Sequence, residues 1–301
     1  MFINQTTLVV PTKDRILKLK RFFYSLGECV NLFNEIIIVD SSSRDTHSNL
    51  KKYYSVYKNI SVIKSEASSS KQRNLGIKKY NKKNKYIMFC DDDIIFKRNS
   101  IINMNQFIIN NPNYVGYGFN LIEKSINSFF ERLKKGKFIK DVGIYDPYPG
   151  IVCANGWHTK ISNVRSDLKT MWLSTQSCIY RTEFFDKNTY FLNSLGSYSY
   201  LEDLFFSYEM GKKGNMIVSS SSQYTHPDNI ERSDFKFGQI EVVNRYKFVI
   251  KNNFSTYKFY ITILLKILFT FLKIISFKIK FFPKFFGNIS GIILCILKSR
   301  R

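Results

Sequence analysis

Asp91-Asp92-Asp93 closes an apolar run, Tyr86-Ile87-Met88-Phe89, and Ile94-Ile95-Phe96 follows at once. Three adjacent carboxylates repel one another unless a cation neutralises them. Hard divalent ions such as Mg²⁺ or Mn²⁺ take oxygen ligands, commonly one or two carboxylates together with phosphate oxygens. In an extended conformation Asp91 and Asp93 face one side and Asp92 the other. That is the disposition of a D-x-D clamp on a metal-bound diphosphate. An isolated acidic triplet reads first as a surface turn, but a place at the end of a buried strand favours a site. Glu202-Asp203 is a second acidic pair, and it opens a segment of helical pattern.

The surrounding elements say how such groups meet. Thr7 to Val10 is a short β-rich run closed by Pro11, and Ile16 to Leu26 carries apolar residues at helical spacing. Ile36-Ile37-Ile38-Val39 has no polar alternation, as in a strand covered on both faces; it stops at Asp40-Ser41-Ser42-Ser43. A weaker strand, Ile60 to Ile63, precedes a helical pattern from Lys71 to Tyr80. Alternation of this kind predicts βαβ units in an α/β fold with a mostly parallel sheet. Ligands of such sheets sit beyond the carboxyl ends of the strands. Thr12, Asp40 and Asp91 to Asp93 stand at three such ends, so the topology gathers them at one edge.

From Asn99 to about Thr170 the pattern is irregular and reads as long loops and short elements. Met171 to Arg181 is strand-like, and Leu201 to Met210 is helical, ending at Lys212-Lys213-Gly214. Met216 to Val218 is a short strand leading toward His226, and Phe235 to Ile250 is helical again.

Composition bounds the class. Of 301 residues, 44% are hydrophobic and 16% aromatic, which excludes a disordered chain. The formal charge of +23 suggests an anionic partner. A basic nucleic-acid face, however, needs no aspartate triplet, and no nucleic-acid role is expected. The five cysteines are scattered without a CxxC pair, so a reducing, cytosolic setting is expected. The apolar run near the N-terminus is too short for a signal peptide.

The tail differs in kind. Phe259 to Ser276 and Phe281 to Leu297 are strongly apolar, and no acidic residue follows Glu241. Lys266, Lys273 and Lys280 recur every seven residues, a basic stripe suited to a helix lying in lipid headgroups. The division expected is a catalytic domain over 1–253 and a membrane-associating helical tail over 254–301. The protein would then be peripheral or monotopic at the inner face of the membrane.

Taken in order, Pro11-Thr12, Val39-Asp40, Lys71-Gln72-Arg73-Asn74-Leu75-Gly76-Ile77 and Phe89-Cys90-Asp91-Asp92-Asp93 resemble family-2 glycosyltransferases of the GT-A fold. Trp172-Leu173-Ser174, Tyr180-Arg181, Leu201-Glu202-Asp203, Lys213-Gly214 and His226 extend the similarity to about residue 250. The resemblance is to the enzymes of bacterial surface polysaccharides. It implies transfer of a sugar, with inversion and metal assistance, from a nucleotide-sugar donor, UDP favoured, to a glycan or lipid-linked acceptor.

Residue by residue, the resemblance implies that Asp40 accepts a hydrogen bond from the base, with Pro11 and Thr12 as the other wall. Arg73 would face the base or diphosphate. Asp91 would touch the ribose or the metal, with Asp92 beside it, and Asp93 would ligate Mn²⁺ or Mg²⁺ with His226 completing the site. A helix N-terminus holds Asp203 ionised as general base, with Glu202 orienting the acceptor. Trp172 reads as a sugar platform or as core.

Two departures from the family stand out. Ser41-Ser42-Ser43 replaces the usual acid and glycine, and Ser174-Thr175-Gln176-Ser177 stands where small residues are common. No Q-x-x-R-W sequence is present, so a processive synthase is not expected. A sugar nucleotidyltransferase needs a glycine-rich loop that Val10 to Asp14 lacks. A degenerate, membrane-associated binding protein of the same fold is the non-enzymatic alternative.

Overall fold

A computed structural model describes residues 3–124, 143–196, 199–227 and 232–299. In chain order the first elements are β1 (Thr6–Thr12), α1 (Ile16–Leu26), β2 (Glu35–Asp40), α2 (Arg44–Tyr54), β3 (Ile60–Lys64), α3 (Ser69–Lys79) and β4 (Tyr86–Cys90). Then come β5 (Ile95–Phe96), α4 (Ser100–Asn110), β6 (Gly116–Leu121), β7 (Leu168–Thr170), β8 (Ser177–Arg181), α5 (Glu202–Gly211) and β9 (Met216–Thr225). Three helices close the chain: α6 (Phe235–Lys251), α7 (Thr256–Ile275) and α8 (Phe282–Ser299).

The chain forms two compact units, Met1–Glu123 with Ile161–Asp228, and Lys124–Lys160 with Asn229–Arg301. The boundary expected at 253/254 therefore falls inside the second unit. In the first unit the strand order is β3-β2-β1-β4-β8-β6-β9-β5, with β7 added on β9. Strands β3, β2, β1 and β4 run parallel, as their βαβ connections require. Beyond β4 the sheet is mixed: β8 runs antiparallel to both β4 and β6, while β6 and β9 are parallel. The mostly parallel sheet expected is thus confined to the half that carries the acidic residues.

The continuous apolar runs of β1, β2 and β4 are explained by burial on both faces. Leu8, Val10, Ile36, Ile38 and Met88 pack with Leu19 and Phe22 of α1 in one core. Pro11 is tolerated in a central strand because β1 pairs with β4 only as far as Val9; it lies past that ladder.

The second unit is built on α6, α7 and α8. Helices α6 and α8 approach so closely that a side chain at Gly287 would collide with the Phe235 carbonyl, and one at Gly238 with the Lys284 carbonyl. Buried Asn288 donates to the Gly238 carbonyl across this crossing at 3.2 Å. Glu241 of α6 is buried and receives Lys266 of α7 and, at 3.3 Å, Lys284 of α8. Arg245, one turn on, lies 4.5 Å from the Trp157 ring centroid and donates to the Gly156 carbonyl at 2.8 Å.

Lys266 is therefore turned inward, against the expectation that it lines an outer basic stripe; a buried carboxylate outcompetes water for its ammonium. Lys273 and Lys280 lie over the Phe281 ring. What α7 exposes is apolar: Leu264, Leu268, Phe271 and Ile275, at helical spacing. The segment Ile279–Leu297 is long and apolar enough to cross a membrane, by length and composition.

Burial opposes ionisation of Glu241, but Lys266 and Lys284 outweigh it and bring its pKa to about 2, against 4.5 in the unfolded chain. A depressed carboxylate stabilises above the unfolded value and loses that stabilisation as pH falls. The helical unit is expected to keep the Glu241 contribution above about pH 4.5 and to lose it as pH falls toward 2. Urea unfolding followed by Trp157 fluorescence in a Trp172→Phe background measures this. Glu241→Gln should be less stable at neutral pH and should lose the acid-dependent slope; an unchanged slope would refute the assignment.

Candidate active site

The carboxyl ends of β2, β1 and β4 converge as the topology demands. Thr12 and Asp40 are direct cross-strand partners, and β4 lies on the other side of β1. Gln72 of α3 fastens this edge from outside the ladder: its amide donates to the carbonyls of Thr12 (2.9 Å) and Val39 (2.6 Å).

Asp40 is fully buried. Ser42 donates both its backbone N–H (3.0 Å) and its hydroxyl to Oδ1, and His47 Nδ1 lies 2.8 Å from Oδ2. Ser42 also accepts the Asp14 N–H at 2.7 Å. The serine run thus replaces the family's usual residues with a hydroxyl that binds the β1–α1 loop to the Asp40 carboxylate. Both oxygens of the Asp40 carboxylate are thus engaged, by Ser42 and His47. In the sequence Ser42 stands out only as part of a run that departs from the family, and His47, seven residues past the aspartate, carries no distinctive spacing.

At the end of β4 the chain turns immediately after Cys90, so the alternation expected for an extended triplet is absent. Asp92 and Asp93 are drawn together instead: Arg15 Nη1 donates to Asp92 Oδ1 (3.3 Å) and Asp93 Oδ2 (3.1 Å). The Thr12 hydroxyl donates to Asp92 at 2.6 Å, Lys18 Nζ lies 3.6 Å from Asp93, and His226 Nε2 lies 3.0 Å from Asp93 Oδ1. Burial pushes Asp91 up to about 7 and raises Asp92 as well, whereas His226, Arg15 and Lys18 offset burial and hold Asp93 below the usual carboxylate range.

Asp91 faces the other way. Arg73, almost wholly buried, donates to Asp91 Oδ1 at 2.5 Å and to Glu202 Oε1. The Ser70 hydroxyl donates to Glu202 Oε2 at 2.6 Å. Glu202 is therefore committed to α3 rather than turned toward an acceptor, and Arg73 is a buried bridge rather than an open contact for a diphosphate. Asp203, next along α5, accepts the Leu204 N–H at 2.8 Å and is partly exposed. The residue before the pair, buried Leu201, holds φ +73°, a left-handed conformation costly for a leucine. Trp172 is buried beside Thr170, which leaves little of its ring open to a sugar.

Among the described residues no cluster of three or more His, Cys, Asp or Glu side chains is disposed to hold a metal. The chemistry of the edge nevertheless fits a divalent cation. Asp91, Asp92, Asp93 and Glu202 crowd together, and burial first, then the neighbouring carboxylates, raise Asp91 despite Arg73. Asp93 Oδ1 and His226 Nε2 are 3.0 Å apart, the edge expected of two neighbouring ligands about 2.1 Å from an octahedral ion. One or two carboxylates with phosphate oxygens completing the shell is the usual arrangement for Mg²⁺; here Asp93 supplies a carboxylate and His226 a nitrogen.

A parallel half-sheet with buried carboxylates at its carboxyl edge, continued by a mixed half, defines a GT-A-type glycosyltransferase. The family model for glycosyl transferase family 2 matches residues 7–173, and the chain belongs to that family. Its fold is also similar to solved structures. Staphylococcus aureus TarS 1–349 in complex with UDP aligns with TM-score 0.53 and 17% identity, over 81% of this chain and 65% of that one. GalNAc-T7 with UDP, GalNAc and Mn²⁺ aligns with TM-score 0.58 and 13% identity, over 81% of this chain and 47% of that one. This chain thus spans less than two thirds of either. No curated protein sequence matches it.

Arg73→Leu would leave Asp91 and Glu202 without their shared counter-charge. It should cost about 3–5 kcal/mol in urea unfolding. Arg73→Lys, which cannot fork between two carboxylates, should recover only part of that. A loss below about 1 kcal/mol would contradict a structural role for the bridge.

Proposed function

We propose that the chain moves a sugar from a nucleotide-diphosphate sugar, UDP favoured, to a glycan or lipid-linked acceptor by one displacement with inversion. The observation that carries this is the gathering of Thr12, Asp40 and Asp91 to Asp93 at one sheet edge, with Asp203 tied to that edge through Glu202 and Arg73. The base would enter beside Thr12 and the Asp40–His47 pair.

Asp93 and His226 are the residues that would hold a Mn²⁺ or Mg²⁺ ion. Such an ion, when bound, supplies Lewis-acid stabilisation of the departing diphosphate. Asp203 would take the acceptor hydroxyl's proton as that oxygen attacks the anomeric carbon. The bond from that carbon to the diphosphate oxygen breaks on the opposite face. Arg73 and Glu202 fix the spacing between the Asp91 end and the base.

Calorimetry with UDP, GDP and dTDP, with and without Mn²⁺, tests the reading. One nucleotide is expected to bind in a metal-dependent way, and Asp93→Ala should abolish that binding. Asp203→Asn should keep nucleotide binding and lower turnover by roughly 10²–10⁴. Failure of all three nucleotides in folded protein would favour a non-catalytic relative of the same fold.

The exposed apolar stripe of α7, together with Phe277 (93% exposed) and Ile279 (69%), which flank Lys278, supports placement at the cytoplasmic face of a membrane. Helices rimmed by lysine and exposing aliphatic residues suit an anionic bilayer surface. Leu268→Glu with Phe277→Glu should weaken cosedimentation with vesicles containing anionic lipid. Unchanged cosedimentation would remove this part of the proposal.

A further inference from the structure

We infer that Arg15 and Lys18 form an exchangeable cation pair: they neutralise Asp92 and Asp93 in the donor-free protein and pass to the donor's diphosphate when it binds. The inference rests on the nucleotide-sugar reading above and adds two ligands to it. Arg15 precedes α1 and Lys18 stands one turn along it, so both ammonium and guanidinium reach the acidic turn from one helix end.

The asymmetry of burial carries the argument. The Asp92 and Asp93 side chains are 4% and 10% exposed, whereas those of Arg15 and Lys18 are 48% and 34% exposed. Each buried carboxylate keeps another protein partner, Thr12 for Asp92 and His226 for Asp93. The exposed cations therefore share in offsetting the burial without carrying it alone, and half-exposed ion pairs are cheap to break. Arg15 Nη1 also spans two acceptors at 3.3 and 3.1 Å, longer than the usual charge-assisted bond. A diphosphate offers more charge, and its oxygens suit a guanidinium fork and an ammonium point charge. A cation on Asp93 would repel Arg15 and Lys18 and so release them to that diphosphate.

Two opposite effects follow. Arg15→Gln or Lys18→Gln should weaken UDP binding in the presence of Mn²⁺ about tenfold, the loss of one charge-assisted contact. The same variants should bind Mn²⁺ alone more tightly, because a competing cation is gone from Asp93. Arg15→Lys, which keeps the charge but not the fork, should fall between. Calorimetry on the full chain with UDP, inorganic pyrophosphate and Mn²⁺ alone reads all three, and thermal melting checks that each variant is folded.

If nucleotide and metal affinities fall together, Arg15 merely shapes the turn and the inference is overturned. Unchanged UDP and pyrophosphate binding in the double variant overturns it too, as does a wild type that binds neither. A wild type that binds pyrophosphate but no nucleotide, with the variants losing the pyrophosphate, leaves the pair standing while the nucleotide-sugar reading fails.

Discussion

Burying carboxylates is the constraint on which the catalytic unit depends. Five acids, Asp40, Asp91, Asp92, Asp93 and Glu202, lie at or beside one sheet edge, and four of them are less than a tenth exposed. Each ionised group removed from water must find charge or hydrogen bonds in return. Ser42 and His47 serve Asp40, Thr12 serves Asp92, His226 serves Asp93, and Arg73 serves two acids at once. These donors come from β1, α2, α3, the loop after β2 and the residue that follows β9. The charge problem therefore forces distant segments of the chain into fixed relation, and the apolar core beneath supplies the energy without specifying that relation.

This explains why the first ninety residues were legible and the next hundred were not. Runs such as Ile36 to Val39 have no polar residue because both faces are covered, and the strand–helix alternation leaves little choice of topology. Strand β6 escaped notice because it begins Gly116-Tyr117-Gly118. Side chains at those glycines would strike Tyr180, Leu173 and Val218, so the spacing is a packing need that mimics a loop. Strand β9 was read as ending at Val218, since Ser219 to Ser222 resembles a linker. The register shift opposite Phe119 and Asn120 absorbs that stretch, and the strand continues to Thr225 beside His226.

Types of site residue were easier to read than their partners. That Asp93 meets His226 and that Asp203 stands at a helix start agree with the positions the family resemblance implies. Arg15, Ser42, His47 and Ser70 depend on which side chains meet across 60 or more residues in the case of Arg15 and Ser70. The tail shows the same limit. A seven-residue lysine spacing suggests a stripe, but α7 ends before Lys280 and Glu241 in α6 draws Lys266 into the interior.

Leu201 ties the backbone to the chemistry. A leucine held at φ +73° with 4% of its surface exposed stays there because its side chain is locked in the core. Relaxing that residue to a right-handed conformation would swing the start of α5 and carry Glu202 off Arg73 and Asp203 away from its place. If Asp203 is the proton acceptor proposed above, it is spring-loaded against an apolar latch: whatever loosens the packing around Leu201 would disarm it, even with every carboxylate intact.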